Sequence, residues 1–242
     1  MFALAAVPEH GKPSPLLCAL FLAAAFFCLI VAANGQGESS VGQLLKRLPP
    51  PEAVAKATAP ATDPAGRDPL VRQIVAAAKS MNFGNAYALS QKLAARYPKS
   101  AGAQSLHGQL ALVLRHYSEA SEAFHRAISL QPNFANAYVG LGLTDAAQNR
   151  INAAMSDFRE VTHLQPGTDI GWIGLSACAE KLGHKGESLD YARRATAVAP
   201  SSFAAWLQLS REERVAGNQQ AAAKALARAN QLRGKASKTN RR

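Results

Sequence analysis

Few side chains in this chain are spaced for covalent chemistry. Metal binding on one helix face asks for imidazoles a turn apart, yet His107, His116, His125, His163 and His184 are scattered, with no repeated i, i+4 pair. They read as surface or boundary histidines, and no metal is expected. Acid–base work needs a positioned carboxylate with a tuned pKa; Glu119 with Glu122, and Glu212 with Glu213, read instead as solvated helix charges. Nucleophile elbows, phosphate-cradling glycine loops and the H-E-x-x-H pattern are absent. Cys178 stands alone outside an apolar N-terminal run that holds Cys18 and Cys28, and a lone thiol in an apolar helical stretch reads as a small buried hydrophobe. A disulfide framework within one mature chain is thereby excluded. The expectation is a protein that is not an enzyme and binds no cofactor.

Charge is the other chemical resource. Twenty-seven Lys+Arg against 16 Asp+Glu leave the 242 residues at +11, a balance that suits nucleic acid or an anionic surface. Five of those cations, Arg233, Lys235, Lys238, Arg241 and Arg242, fall in the last ten residues without an acid among them, which leaves +6 on residues 1–232. No aromatic residue is interleaved there to stack on bases, so nucleic acid is not an expected partner. Residues 237–242 read as a basic disordered tail.

The elements that carry these side chains begin with an address. Residues 16–33, LLCALFLAAAFFCLIVAA, hold no charge and follow Lys12 and Pro15. Eighteen apolar residues are long for a signal-peptide core and at the lower edge for spanning roughly 30 Å of hydrocarbon. Residues 1–33 are therefore a signal peptide or a membrane anchor. Cleavage after Ala33, cleavage after Gly35 and retention as an anchor all export the rest, to the periplasm or another extracytoplasmic space. Residues 34–66 form a flexible Pro/Ala-rich linker, with Pro49, Pro50, Pro51, Pro60 and Pro64 disfavouring helix. Within it, Val41, Leu44, Leu45 and Leu48 give two short amphipathic turns.

Beyond the linker the chain repeats. Pro98, Pro132, Pro166 and Pro200 recur every 34 residues, as do Leu70, Gln104, Tyr138, Trp172 and Trp206, and as do Ala86, Ala120, Ala154, Ser188 and Ala222. Five blocks follow: 67–100, 101–134, 135–168, 169–202 and 203–236. Gly108 and Gly142, with Ala120 and Ala154, are small enough to let two antiparallel helices approach, while Phe124 and Phe158 fill the space between neighbouring pairs. Asn149, Gly183 and Gly217 fall at the turn inside a pair, where a left-handed residue is easiest. A single pair cannot bury its apolar face but five stacked pairs can, so the predicted class is all-α, an α-solenoid over 67–236.

The block holding Tyr138, Leu141, Gly142, Ala154, Phe158 and Pro166, and the one holding Gly108, Ala120, Phe124, Ala127 and Pro132, closely resemble the tetratricopeptide-repeat (TPR) family. The fourth block departs from it, with Ser176 in place of the glycine and Ala192 in place of the phenylalanine, and in the fifth Gly234 replaces the proline. The resemblance implies that the first helix of each pair lines a concave groove, and that residues at a 3-4-3 spacing face it. Those are Gly102, Ser105, Gln109 and Leu112; Asn136, Val139, Leu143 and Ala146; Ile170, Ile173, Ala177 and Glu180; and Ala204, Leu207, Arg211 and Arg214. Val139, Leu143, Ile170 and Ile173 become expected apolar anchors for a peptide, although such a stripe singly is as readily packing. Arg211 and Arg214 would grip an acidic group, or stand solvated beside Glu212 and Glu213. The clamp by which some family members hold chaperone tails is missing, since Val71 and Val75 occupy its first two places. The implied function is a scaffold or adaptor in the cell envelope that binds another protein or peptide; a membrane-anchored assembly factor or regulatory subunit of an envelope complex is the alternative.

Overall fold

The computed structural model describes residues 63–239, with side chains to Arg233. The expected export segment, the amphipathic turns at 39–48, linker residues 49–62 and the end of the tail, 240–242, lie outside the described residues. A one-turn 3-10 helix, Pro64–Arg67, leads into ten α-helices among the described residues. They alternate as pairs: α1 (Pro69–Lys79) with α2 (Phe83–Arg96), α3 (Ala101–Val113) with α4 (Tyr117–Leu130), α5 (Ala135–Ala147) with α6 (Ile151–Leu164), α7 (Ile170–Lys181) with α8 (Lys185–Val198), and α9 (Phe203–Val215) with α10 (Gln219–Thr239). No helix among the described residues is long and apolar enough to cross a membrane.

Local chemistry sets the boundaries. Pro69 starts α1 behind Asp68, whose carboxylate accepts from the Leu70 amide at 2.8 Å and also binds Arg96 and Tyr97. Ser100 and Ser202 cap α3 and α9 in the same way. The second helices of the first four pairs end at Arg96, Leu130, Leu164 and Val198, two residues before the recurring prolines, which lack the amide a further turn needs. Inside each pair one residue turns left-handed: Met81, Arg115, Asn149, Gly183 and Gly217, at φ 59, 62, 61, 79 and 85°. The next residue's amide then reaches back five residues, as in Asn82 N to Ala77 O at 2.9 Å and Arg150 N to Asp145 O at 2.8 Å, capping the first helix. Asn149 and the two glycines suit that conformation; Met81 and Arg115 hold it against their side chains.

The last helix runs past the expected block end at 236 to Thr239, so the tail's first three residues are helical rather than disordered. No proline stands in its path, and its Ala, Lys, Gln and Arg residues are good helix formers that outweigh Gly234.

The pairs are joined by aromatic knobs. Phe124 of α4 is wholly buried, and a Cβ built on Gly108 of its own pair would meet the ring at 3.0 Å. The closer approach is to the next pair, where a Cβ on Gly140 of α5 would lie 2.2 Å from the same ring. Phe158 repeats the arrangement, with Gly142 of its own pair and Gly174 of α7, whose added Cβ would come to 2.4 Å. The two outer joints are built differently. Ser90 of α2 stands where the phenylalanines stand and meets His107 of α3, Oγ to Nδ1 at 3.2 Å. Ala192 of α8 has buried Gln208 of α9 in the glycine's register. In the fourth pair Ser176 and Ser188 replace the glycine–alanine contact with a hydroxyl pair 3.3 Å apart, each also near the other's carbonyl.

Glycine-to-alanine changes separate these roles. Gly140→Ala is expected to destabilise by roughly 1–3 kcal/mol through overpacking against an enclosed ring. Gly186→Ala, in open space on α8, is expected to stabilise by up to ~1 kcal/mol. Met81→Gly should also stabilise, by roughly 1 kcal/mol, through relief of the left-handed residue. Thermal or urea unfolding reads all three; a neutral Gly140→Ala would contradict the ring-in-glycine joint.

Candidate functional site

The first helices of successive pairs lie against one another, α3 on α5, α5 on α7 and α7 on α9, whereas the second helices make no comparable contact. The first-helix row is therefore the inner side of the stack, and the residues on its open surface are the accessible ones. The expected stripe divides there. Gln109, Asn136, Val139, Leu207 and Arg211 are partly exposed and Arg214 is exposed. Leu112, Leu143, Ala146, Ile170, Ala177 and Ala204 are buried, and Ile173 is 0% exposed. Gly102 sits beneath Asp63, whose carboxylate takes a hydrogen bond from Ser100 at 2.6 Å. Ile173 and Leu143 belong to the core running through the second to fifth pairs, so they are not water-facing anchors for a ligand. The physical reason is the closeness of the row: tightly joined pairs press neighbouring first helices together, and the same 3-4-3 positions fill the seam between them.

What stays accessible is more polar than the sequence implies. Among the described residues the side-chain amides of Gln109 and Asn136 have no hydrogen-bond partner. Each offers donors and an acceptor, the combination a peptide backbone needs. Toward the C-terminal end Arg211 pairs with Glu180 of α7, both largely covered, and the second Glu180 oxygen, Oε2, is buried without a partner. Arg211 is thus engaged along the groove rather than solvated beside its sequence neighbours. Those neighbours are not solvated either. Glu212 is 2% exposed and accepts from Gln208 at 2.8 Å and Ser188 at 2.6 Å; Glu213 binds Arg193 at 3.0 Å and Asn218 at 2.7 Å. Helix α9 turns that side toward α8 and α10, so both carboxylates knit the fourth and fifth pairs together.

A second polar cluster joins the first two pairs. Glu119 of α4 accepts from the Tyr87 hydroxyl and from Gln91, and lies 3.1 Å from His107 Nε2, while His107 Nδ1 faces Ser90. The serine–histidine–glutamate order looks like a proton relay, but the Ser90 hydroxyl is wholly enclosed and donates to the Tyr87 carbonyl at 2.7 Å. No substrate atom can reach it, and the cluster is a joint. Burial lowers the His107 pKa and raises that of Tyr87 to about 12, the Glu119 hydrogen bond adding to the latter. Among the described residues no three His, Cys, Asp or Glu side chains gather closely enough to hold a metal ion.

Asp157 of α6 is a carboxyl group whose surroundings shift its proton affinity. Burial, with Asp145 nearby, raises its pKa from 3.8 to about 7, against the opposing pull of Arg150. Asp145 is itself paired with Arg150, and the buried Cys178 thiol is pushed up to about 12 by burial and by Asp157.

Two experiments follow from these placements. A folded-state pKa above the unfolded one means that the native chain binds the extra proton, so the carboxylate costs stability above about pH 7 and the cost fades as pH falls toward 3.8. Asp157→Asn should therefore raise the thermal midpoint at pH 8 and leave it nearly unchanged at pH 4. Ile173→Asp buries a carboxylate where no partner waits and should cost roughly 3–5 kcal/mol. Val139→Asp, at a partly exposed position that packs against the edge of the core, should cost clearly less, roughly 1–2 kcal/mol. Equal destabilisation by the two aspartates would contradict the division of the stripe.

No family model matches the chain, and no curated protein does. Solved structures do resemble it. A type IV pilus biogenesis factor, PilW, is 21% identical with a TM-score of 0.59, over 66% of this chain and 74% of that one. MamA from Desulfovibrio magneticus RS-1, residues 41 to the end, is 13% identical with a TM-score of 0.57, over 69% and 94%. YrrB, described as a TPR protein with an unusual peptide-binding site, is 17% identical with a TM-score of 0.50, over 68% and 84%. With the 34-residue register, the helix pairs and the phenylalanine joints, these likenesses identify the fold of this chain as a tetratricopeptide-repeat solenoid.

Proposed function

We propose that this protein is an interaction scaffold that holds an extended segment of another protein against the inner row of first helices. The observation that carries this reading is the pair of unengaged amides, Gln109 and Asn136, on the same open surface as Val139 and Leu207. A peptide laid there has its backbone donors and acceptors met by the amides and an apolar side chain covered by Val139, which gains about 25 cal/mol per Å² of apolar surface removed from water. Arg214, exposed at the C-terminal end, supplies the charge for an acidic side chain or a terminal carboxylate. The likeness to YrrB supports a peptide as the ligand class, and the likeness to PilW supports a role in assembling a larger structure.

Binding is proposed to occur outside the cytoplasm, with residues 16–33 as export signal or anchor and the proline-rich stretch as a spacer. An assembly factor or a regulatory subunit of an envelope complex would use the same surface.

The surface is tested by a photo-crosslinking residue placed at Val139 in the full chain, with Arg126 on the outer side as control. The expected outcome is a discrete crosslinked partner from Val139 alone, weakened several-fold by Asn136→Ala with Gln109→Ala. Capture that survives both changes yet disappears on truncation after Leu232 would assign binding to the basic tail. Export is read by a reporter active only outside the cytoplasm, fused after Gln36. It should be active, and a reporter active only when residues 1–33 are removed would overturn the address.

A further inference from the structure

The register of the joints reveals an uncovered one. Ser90, Phe124, Phe158 and Ala192 recur every 34 residues, and each is 0% exposed because a following pair covers it. Leu226 of α10 is next in that register and is 42% exposed. Ala223 and Asn230, one turn to either side, and the adjacent Ala227 are exposed with it. Leu226 thus stands on the fifth pair in the place that Phe124 and Phe158 take on theirs, with no helix among the described residues covering it. Where the knob is a large apolar side chain, Phe124 or Phe158, the receiving element is a first helix with glycine at the crossing point, Gly140 or Gly174; at the Ser90 and Ala192 joints Leu106 and Gln208 hold that register.

Charge decides among the helices that could fill that place. Helix α10 contains no acid from Gln219 to Thr239, and it carries Lys224, Arg228, Arg233, Lys235 and Lys238. Among the described residues, Lys224 and Arg228 have no carboxylate partner. A second copy pairing α10 with α10 sets cations against cations. Head-to-tail stacking brings up α1, where Arg72 occupies the register of Gly140 and Gly174, so a long cation meets the knob. The chain's own segment 39–48, outside the described residues, carries Lys46 and Arg47 and no acid. An anionic bilayer answers the charge, but Leu226 is the one large exposed apolar side chain on the described part of α10, too little for an interfacial helix. An acidic helix satisfies both the shape and the charge.

We propose that the C-terminal end of the solenoid is a second docking surface, on which an acidic amphipathic helix of a partner protein, with glycine or alanine at its crossing point, seats Leu226 as a sixth first helix. This surface is separate from the inner row and independent of it.

The probe is a stapled, fluorescent helical peptide with the sequence of residues 134–148, carrying Asn136→Glu, Thr144→Glu and Gln148→Glu and retaining Gly140. Two controls carry lysine at those three places, or leucine at the Gly140 place. Anisotropy with the full-length chain should show saturable binding of the glutamate peptide, at least ten-fold weaker for either control and for the Leu226→Lys chain. Because Leu226 is exposed, Leu226→Lys should leave the unfolding midpoint unchanged, and Val139→Asp should leave this binding unchanged. Several results would overturn the proposal: no saturable binding, equal binding to the Leu226→Lys chain, or loss only with Val139→Asp. Self-association abolished by Leu226→Lys would assign the face to a second copy. Binding to phosphatidylglycerol–phosphatidylcholine vesicles abolished by the same change would assign it to a lipid surface.

Discussion

A phenylalanine ring pressed against backbone that has no side chain sets the distance between neighbouring helix pairs. At Gly140 and Gly174 even a methyl group would overlap the ring of the preceding pair, so these two joints have one spacing and little tolerance. That spacing in turn brings the first helices into contact while the second helices stay apart. Curvature, the enclosed row of Leu143, Ile170 and Ile173, and the narrow open surface with Gln109, Asn136 and Val139 all descend from the same contact. The groove is a consequence of how the joints close, and its chemistry is whatever the seam between first helices leaves uncovered.

The joints change character from the middle of the array to its ends. The second-to-third and third-to-fourth joints are dry and aromatic. The first-to-second joint is the Ser90–His107–Glu119–Tyr87 cluster, and the fourth-to-fifth is the Ser176–Ser188–Gln208–Glu212 cluster. Buried hydrogen-bond networks specify geometry, but they add less net stability than burying an aromatic ring, because each polar group gives up water to make its bond. In a quasi-one-dimensional fold, where stability is a sum of pair and interface contributions, the terminal pairs are then the ones that open first.

The repeat was legible in the sequence because its cause is local and periodic. Prolines end second helices, left-handed residues turn the chain inside a pair, and Phe124 and Phe158 stand where neighbouring pairs meet. Gly108 and Gly142 could be read as contacts within a pair, yet the tighter approaches, at Gly140 and Gly174, concern the next pair and carry no signal until the blocks are stacked. The groove stripe was only half legible for the same reason. A 3-4-3 spacing places Ile173 on one face of α7, but whether that face meets water or a neighbouring helix depends on the inter-pair distance. Glu212 and Glu213 were misread as solvated because a charged pair in a sequence shows its hydration only in the absence of neighbours. Ser188 and Arg193 of the preceding pair supply the bonds that let them be buried. Leu226 shows the converse: its register is plain in the sequence, and its exposure is seen only once the described pairs are stacked.

Cys178, the free thiol of α7, lies within the core and holds its proton far into the alkaline range. A thiol in that state neither attacks nor is attacked while the fourth pair is closed. Its encounter with any oxidant or alkylating agent therefore depends on the fraction of time that α7 parts from its neighbours. In an oxidising compartment this single atom becomes an internal clock: the rate at which it is covalently trapped measures the local opening equilibrium of the solenoid's fourth unit, with no added label.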